Sequence, residues 1–158
     1  TYPSKAWPEK YFIEFIRLWY NKTGKKTLVT WGPGEREASV RIVDAVGSDK
    51  AFVQPEVDIR EFAALLSQLD IFLTADTGPM NIAWAVNTPT AAIFGPTTRK
   101  AVAPAGKQHL VIFNKELDCL ECHLEECSHK KCMTTLTPEI VFSKVYEHFN
   151  NSIGKKYE

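Results

Sequence analysis

The sequence predicts an α/β protein in which a parallel sheet is covered by helices on both faces. Short runs that are apolar on both faces alternate with amphipathic segments of helical length. Gly, Pro and Asp stand in the turns between them. The 158 residues are sufficient for one hydrophobic core, so a single compact domain over residues 1–150 is expected.

The first half of the chain predicts helix, strand, helix and strand. A helix is expected from Pro8 until Gly24, which is a C-terminal stop signal. The short apolar run 27–31 predicts a strand, and the Gly-Pro-Gly turn after it leads into a helix over 35–46. Residues 51–53 predict a weak strand.

The second half continues the alternation. Asp58 and Glu61 have the spacing of a capping box before a helix. Strands are predicted over 71–74, 90–94 and 109–113, with a helix over 78–86. Thr137 and Pro138 predict the start of the last helix, which ends before a polar tail at 151–158. In such a Rossmann-like layout, ligands bind where strands end and helices begin.

The segment Asp-Thr-Gly-Pro-Met occupies such a place, between a strand and a helix. Unpaired N–H groups at a helix start carry the positive end of the dipole, so Thr77 and Gly78 could cradle a phosphate. Asp76 would then fix a hydroxyl; the alternative is that Asp76 or Thr77 is a plain helix cap. Neither a Gly-x-Gly-x-x-Gly nor a Walker motif is found, so a standard dinucleotide or P-loop site is not expected.

Two further residues are weaker candidates. Glu35 opens a helix, where its carboxylate could bind a ribose diol or simply cap the helix. Lys5 would by default be a solvated surface lysine.

Charge and hydropathy exclude several classes of function. Nineteen Lys and Arg balance nineteen Asp and Glu, so no net field would attract nucleic acid. No apolar run reaches the ~20 residues of a membrane span and no signal peptide is visible, so a cytoplasmic protein is expected. The chain begins at Thr1 without Met, which indicates processing or a piece of a longer protein.

Four motifs, in order, resemble the C-terminal half of the ADP-heptose:lipopolysaccharide heptosyltransferases (glycosyltransferase family 9). They are KAWPEKYF from Lys5, WGPGERE from Trp31, ADTGPMNIAWAVNTPTAAIFGPT from Ala75 and CLECHLEECSHKKCMTTLTPE from Cys119. The resemblance implies the sugar-nucleotide-binding half of a two-domain GT-B glycosyltransferase, with the N-terminal acceptor domain absent from this chain.

The resemblance also implies a set of donor-binding residues: Thr1, Lys5, Glu35, Val57, Asp76, Thr77, Gly78, Pro79 and Asn81. Lys5, and less surely Thr1, would contact the diphosphate. Glu35 would hold the ribose, and Val57 would cover the adenine edge. Asp76 would lie at the sugar, with Thr77 and Gly78 donating backbone hydrogen bonds to the phosphates.

One position departs from the family pattern. Asn81 stands where the family usually has His, and an amide can donate a hydrogen bond but cannot carry charge or move a proton. The family pattern therefore defines the nucleotide of the donor better than it defines the sugar.

The implied reaction is inverting heptose transfer from ADP-heptose to a lipopolysaccharide core acceptor. A lysine and a helix N-terminus would stabilise the leaving diphosphate without a metal, and no Asp-x-Asp motif is present. No catalytic residue is expected in this chain, because the family's general base lies in the other domain, so the isolated chain should be inactive. The resemblance also implies peripheral contact with the cytoplasmic face of the inner membrane of a Gram-negative bacterium.

Four cysteines lie in a Cys-rich loop at 115–135: Cys119, Cys122, Cys127 and Cys132. Four thiolates satisfy tetrahedral Zn²⁺, and thiols in the cytoplasm favour metal over disulfide. The later spacings are not those of a standard zinc ribbon, so a structural zinc, disulfides and free thiols all remain open. In each case the expected role is to order the loop.

Two other functions remain open from the sequence. A nonhydrolysing sugar-nucleotide epimerase shares the two-domain architecture. A noncatalytic zinc or redox module on a Rossmann-like scaffold would bind no nucleotide, and fold alone does not exclude it.

Overall fold

Helices and parallel strands alternate along residues 2–150, the part of the chain that this computed structural model describes. The helices are α1 (Glu9–Thr23), α2 (Arg36–Val46), α3 (Ile59–Gln68), α4 (Gly78–Ala85), α5 (Arg99–Val102), α6 (Lys131–Thr134) and α7 (Pro138–Phe149). The strands are β1 (Thr27–Val29), β2 (Ala51–Val53), β3 (Phe72–Ala75), β4 (Thr90–Ile93) and β5 (His109–Ile112). The candidate residue Thr1 and the predicted tail at 151–158 lie outside the described residues.

All strand pairs in the described residues are parallel, which confirms the predicted fold class. β3, β4 and β5 form one sheet in that order, with Ala75 opposite Ile93 and Ile93 opposite Ile112. β1 and β2 form a separate two-stranded sheet. The alternation of elements predicted a single sheet. Among the described residues there are two sheets instead, since no ladder of hydrogen bonds joins the three-residue strands β1 and β2 to β3.

The chain forms two compact units. Among the described residues, the larger unit comprises residues 2–7, the range Val57–Leu136 and residues 143–150. The smaller unit comprises Pro8–Glu56 and Thr137–Phe142. The assignment of residues 1–150 to one donor-binding domain stays a prediction.

In the smaller unit, a glycine ends the first helix and apolar stripes pack two helices on the sheet. α1 ends at Gly24, whose φ of +68° is left-handed and whose N–H donates to the Tyr20 carbonyl at 2.8 Å. The apolar stripes of α1 and α2 pack on β2 around a core of Ile16, Ile42, Val43, Val46 and Ala51. Burial of these stripes is what holds the short strands in place, since three-residue ladders contribute few hydrogen bonds.

The larger unit packs helices against a buried sheet. α3 begins with the predicted capping box, in which Asp58 accepts hydrogen bonds from the N–H groups of Arg60 and Glu61. Every residue of β4 is buried, as expected for a central strand covered on both faces. Two core clusters form, one of Leu66, Phe72 and Ala83 and one of Met80, Ala92 and Phe94.

The parallel pairing of β3 and β4 positions two loops at the same edge of the sheet. Both strands end there, so the turn Asp76–Gly78 and the loop Gly95–Thr98 emerge side by side. Strands in a ladder lie about 5 Å apart. This edge is therefore where the sequence-predicted phosphate turn meets the loop after the next strand.

Two four-residue helices, α5 and α6, were not predicted from the sequence. A single turn of helix carries too few positions for a periodic pattern to be recognised. None of the helices in residues 2–150 combines the length and the apolar character needed to cross a bilayer.

His109 begins β5 and is 6% exposed, and among the described residues neither of its ring nitrogens has a hydrogen-bond partner. Burial lowers the pKa of His109 from its ordinary value of 6.5, because the charged imidazolium loses hydration. The neutral ring therefore contributes stability that is fully present above pH 6.5 and is lost as the pH falls through the lowered pKa of the folded state.

We predict that the chain loses free energy of unfolding between about pH 7.5 and pH 5.5, and that His109→Leu removes part of this loss. Urea unfolding at the two pH values measures the effect. Leu110→Val, which changes the next residue of β5 and removes no titratable group, is the control and should retain the parental pH dependence. An unchanged pH dependence in His109→Leu would show that the buried ring does not titrate as described.

Candidate functional site

An ion pair between Lys5 and Asp76 lies at the centre of the candidate site. Lys5 Nζ is 2.9 Å from Asp76 Oδ2 and also donates to the Asp76 carbonyl at 3.4 Å. The side chains are 17% and 12% exposed, so the pair is largely shielded from water. Salt screens the attraction between shielded charges less than it screens the attraction between exposed ones. The pair therefore holds the Lys5 ammonium at a defined place on this edge of the sheet.

The turn after β3 leaves the start of α4 without a side-chain cap. Thr77 is the N-cap residue, with φ −143° and ψ 172°, but its side chain makes no capping hydrogen bond. Its hydroxyl instead donates to the Ala75 carbonyl at 3.4 Å, and the Asp76 carboxylate pairs with Lys5. Thr77 therefore occupies the N-cap position, but neither its side chain nor that of Asp76 makes the hydrogen bond of a helix cap. Pro79 has no N–H group and the Met80 N–H donates to the Thr77 carbonyl at 3.1 Å, so the Gly78 N–H is the amide that this helix start offers to a ligand.

Gly78 is exposed at the first position of α4. A Cβ at this residue would meet no heavy atom within 4 Å, and its φ is not in the left-handed region. The fold therefore does not itself require glycine here. A requirement for glycine would come only from close approach of a ligand.

The other predicted donor residues are divided between the units. Pro79 and Asn81 lie on the first turn of α4. Val57 is half-buried and lies in the segment of the chain that leads from β2 to α3. All three residues belong to the larger unit. Glu35 belongs to the smaller unit, where it is the exposed N-cap residue of α2.

Glu35 does not cap α2 with its side chain. Its Oε2 accepts a hydrogen bond from the Gly32 N–H at 3.2 Å, and the helix start receives no side-chain cap. The turn that carries it passes through Gly34, whose φ of +81° favours glycine. The carboxylate is thus held by its own turn and exposed to solvent, which suits a ligand contact at least as well as a structural role.

The loop after β4 is held by the cysteine-rich segment. Gly95 O accepts from the Glu121 N–H at 3.4 Å and Pro96 O from the His123 N–H at 2.8 Å. Thr98 Oγ1 lies 2.9 Å from His123 Nε2. These contacts fix the loop Gly95–Thr98 beside the candidate turn.

Gly95 is required by close packing. A Cβ there would lie 2.8 Å from both Cys132 Sγ and Met133 Sδ, closer than side-chain carbons approach. Cys132 and Met133 are buried against this loop. The start of α6 therefore packs directly under the edge of the sheet that carries the candidate site.

Arg99 is a polar residue near this edge that the sequence analysis did not select. Its guanidinium lies 3.7 Å from the ring centroid of Phe113 and 3.3 Å from Glu121 Oε1. Its Nη1 and the Thr97 hydroxyl are buried without a hydrogen-bond partner among the described residues. The motif Phe-Gly-Pro-Thr pointed to this loop, but nothing in the spacing singled out the arginine.

The four cysteines are free thiols in one loop. Cys119 and Cys122 are exposed, Cys127 is half-buried and Cys132 is buried. Burial raises the pKa of the Cys132 thiol, and the three neighbouring thiols raise it further. Within residues 2–150, no group of three or more His, Cys, Asp or Glu side chains is arranged to hold a metal ion. Structural zinc stays a prediction from the sequence.

These features define a Rossmann-like α/β chain with a shielded lysine–aspartate pair beside an uncapped helix start. The chain belongs to glycosyltransferase family 9 (heptosyltransferase), whose family model matches residues 1–133.

Relatives in the family are similar along most of the chain. Lipooligosaccharide heptosyltransferase 2 of Campylobacter jejuni is 27% identical over 147 residues, which cover 90% of this chain and 46% of that protein. The crystal structure of a family 9 glycosyl transferase from Veillonella parvula superposes with a TM-score of 0.78 at 20% identity, covering 94% of this chain and 43% of that one.

A structure of E. coli heptosyltransferase WaaC with ADP-2-deoxy-2-fluoro heptose superposes with a TM-score of 0.72 at 24% identity, covering 93% of this chain and 40% of that one. The two structural likenesses show the fold. The chain spans less than half the length of these relatives. Neither the epimerase nor the noncatalytic alternative gains support from them.

The placement of the cysteines predicts graded thiol reactivity in metal-free protein. Cys119 and Cys122 should react quickly with a thiol reagent, and Cys132 slowly, because Cys132 is buried and its raised pKa lowers its thiolate fraction. Mass spectrometry of partly modified protein measures the order of reaction.

The zinc hypothesis makes a different prediction for the same experiment. Zinc coordinated by four thiolates would protect all four cysteines, and Cys119→Ser would remove the protection. Graded reactivity that zinc does not change would contradict a structural zinc site.

Proposed function

We propose that this chain is the donor-binding half of a heptosyltransferase that transfers heptose from ADP-heptose to a lipopolysaccharide core acceptor. Membership of glycosyltransferase family 9 supports the reaction class, and the related E. coli structure contains an ADP-sugar analogue. The observation that carries the proposal is the Lys5–Asp76 pair, 2.9 Å apart, beside the uncapped start of α4.

The geometry suits a leaving diphosphate. In the reaction the bond between the anomeric carbon and the diphosphate oxygen breaks, and the acceptor oxygen bonds to that carbon from the opposite face. Negative charge builds on the departing ADP. The Lys5 ammonium and the Gly78 N–H at the positive end of the α4 dipole stabilise this charge, without reorganisation during the reaction.

Asp76 has two roles in this proposal. Before the donor binds, its carboxylate holds the Lys5 ammonium at 2.9 Å and so keeps it oriented. When the donor is bound, the same carboxylate lies at the sugar. Lys5 is then shared between Asp76 and the diphosphate, and attraction to both anions holds the ammonium group in position.

In this proposal the remaining donor residues have the roles that the family resemblance implies. Gly78 allows the diphosphate to approach the helix start, and Glu35 holds the ribose diol while Val57 covers the adenine edge. Asn81 replaces the histidine usual in the family, so the contact to the sugar is a neutral hydrogen bond. No metal is required, and the proton of the acceptor hydroxyl is removed by a base in the other half of a GT-B enzyme. That half would also bind the acceptor at the cytoplasmic face of the inner membrane.

Replacement of Lys5 tests the donor site. Lys5→Ala should weaken ADP binding roughly ten- to a hundredfold, the equivalent of losing a hydrogen bond between charged groups. It should also lower the stability of the unliganded chain, because Asp76 is left shielded and unpaired. Isothermal titration with ADP, with UDP as the comparison ligand, and thermal unfolding measure the two effects.

A double variant separates binding from folding. Lys5→Ala with Asp76→Asn removes the unpaired charge, so stability should recover while ADP affinity stays low. Lys115→Ala, which removes an exposed lysine, should leave both unchanged. Parental ADP affinity in Lys5→Ala, or an affinity that recovers together with stability, would remove Lys5 from the donor site.

Gly78→Val tests the close approach of the diphosphate. The structure leaves open space for the new side chain, so unfolding should change by only a few tenths of a kcal/mol, as for a β-branched residue in a helix. ADP binding should be lost, because the methyl groups occupy the position of a phosphate.

The matched control for Gly78→Val is Ala85→Val. It places the same side chain at an exposed position of the same helix and should retain full ADP affinity. Normal ADP binding by Gly78→Val would show that the phosphates do not approach the start of α4.

A further inference from the structure

The position of Lys5 is determined by contacts that its own turn does not provide. Lys5 ends a 3₁₀ turn of three residues, Pro3–Lys5, in which its N–H donates to the Tyr2 carbonyl at 3.0 Å. So short a turn has few internal hydrogen bonds and little stability of its own. Other contacts must therefore hold the backbone from which Lys5 reaches Asp76.

Ser4, the residue before Lys5, makes two such contacts. Ser4 is 1% exposed. Its N–H donates to the Glu125 carbonyl at 3.1 Å, and its hydroxyl donates to the Leu124 carbonyl at 2.6 Å. Both carbonyls belong to the cysteine-rich loop, between Cys122 and Cys127.

Trp7 makes a third contact on the other side of Lys5. It is 3% exposed, and its indole N–H donates to the Leu136 carbonyl at 2.8 Å. Lys5 is thus flanked by two buried residues that bond main-chain carbonyls of the segment 124–136. The Lys5 side chain leaves this anchored stretch and meets Asp76 at 2.9 Å.

We propose that Ser4 is a positioning residue for the Lys5 ammonium, fixed by the Leu124 and Glu125 carbonyls of the cysteine-rich loop. This inference rests on the proposed role of Lys5 in binding the donor diphosphate. Ser4 does not touch the ligand. It acts by holding the Lys5 backbone at the distance from which Nζ reaches both Asp76 and the start of α4.

The energetics favour such a role. A buried hydroxyl bonded to a carbonyl contributes a modest amount to stability, but it also restricts where the next residue can lie. Misplacement of a binding group by about 1 Å is enough to weaken its interaction strongly. The cysteine-rich loop thereby gains a defined function in the larger unit, which is to set the location of the charge that meets the diphosphate.

Ser4→Ala tests the proposal. It removes the hydroxyl and adds no bulk, so ADP affinity should fall about two- to tenfold, on the scale of one hydrogen bond between neutral groups. The matched control is Thr88→Val, which removes another buried hydroxyl, bonded to the Leu66 carbonyl at 2.8 Å, from the opposite end of β4. Both variants should lose similar stability, and only Ser4→Ala should lose ADP affinity.

A double-mutant cycle distinguishes positioning from a general effect on the fold. In the Lys5→Ala background, Ser4→Ala should have no further effect on ADP affinity, because the group that it positions is absent. An equal loss with and without Lys5 would overturn the proposal, as would full ADP affinity in Ser4→Ala. The last result, together with weak binding by Lys5→Ala, would leave the proposed donor site intact.

The reverse outcome and a folding failure are also informative. If Lys5→Ala binds ADP normally, the donor site proposed above is wrong and the role of Ser4 is overturned with it. If Ser4→Ala does not fold, Ser4→Cys takes its place, since it keeps the side chain close to its original size and replaces the hydroxyl donor to the Leu124 carbonyl by a weak S–H donor. The same loss of ADP affinity, again absent in the Lys5→Ala background, is expected; full affinity would contradict anchoring by the segment 124–136.

Discussion

The ion pair between Lys5 and Asp76 connects three parts of the larger unit. It links the first residues of the chain to the end of β3 and the start of α4, with both side chains largely shielded from water. A shielded charge at this place is costly unless it is paired, so the two residues stabilise each other. The helix start beside them has no side-chain cap, so its partial positive charge is not offset by a capping group.

The parallel sheet supplies the constraint that brings these groups together. β3 and β4 run in the same direction and end at the same edge, so the turn with Asp76 and the loop with Gly95 emerge next to each other. Close packing of Cys132 and Met133 against Gly95 then fixes that loop from below. A rigid edge of this kind allows a binding site to be set to within a fraction of an ångström.

The cysteine-rich loop contacts two other segments of the larger unit. Its backbone bonds Ser4 on one side and the loop after β4 on the other, so it joins two segments that flank the candidate site. The thiols themselves are not arranged as metal ligands in the described residues. Its contacts to these two segments are made by backbone carbonyl and amide groups, which no pattern of cysteine spacing could reveal.

The sequence by itself determined the strands and the longer helices, the fold class and the candidate turn. The stop at Gly24, the capping box at Asp58 and the helix start at Thr137-Pro138 depend on neighbouring residues, so local patterns were sufficient. The roles of most donor residues came only from family resemblance.

Tertiary structure alone decided which polar groups meet. Lys5 and Asp76 are 71 residues apart and Ser4 and Leu124 are 120 apart, and contacts over such separations depend on how the sheet and loops pack. Tertiary structure also decided that β1 and β2 form a sheet separate from β3. Which strands pair depends on how they pack against their neighbours, and the residues of a single strand do not specify this.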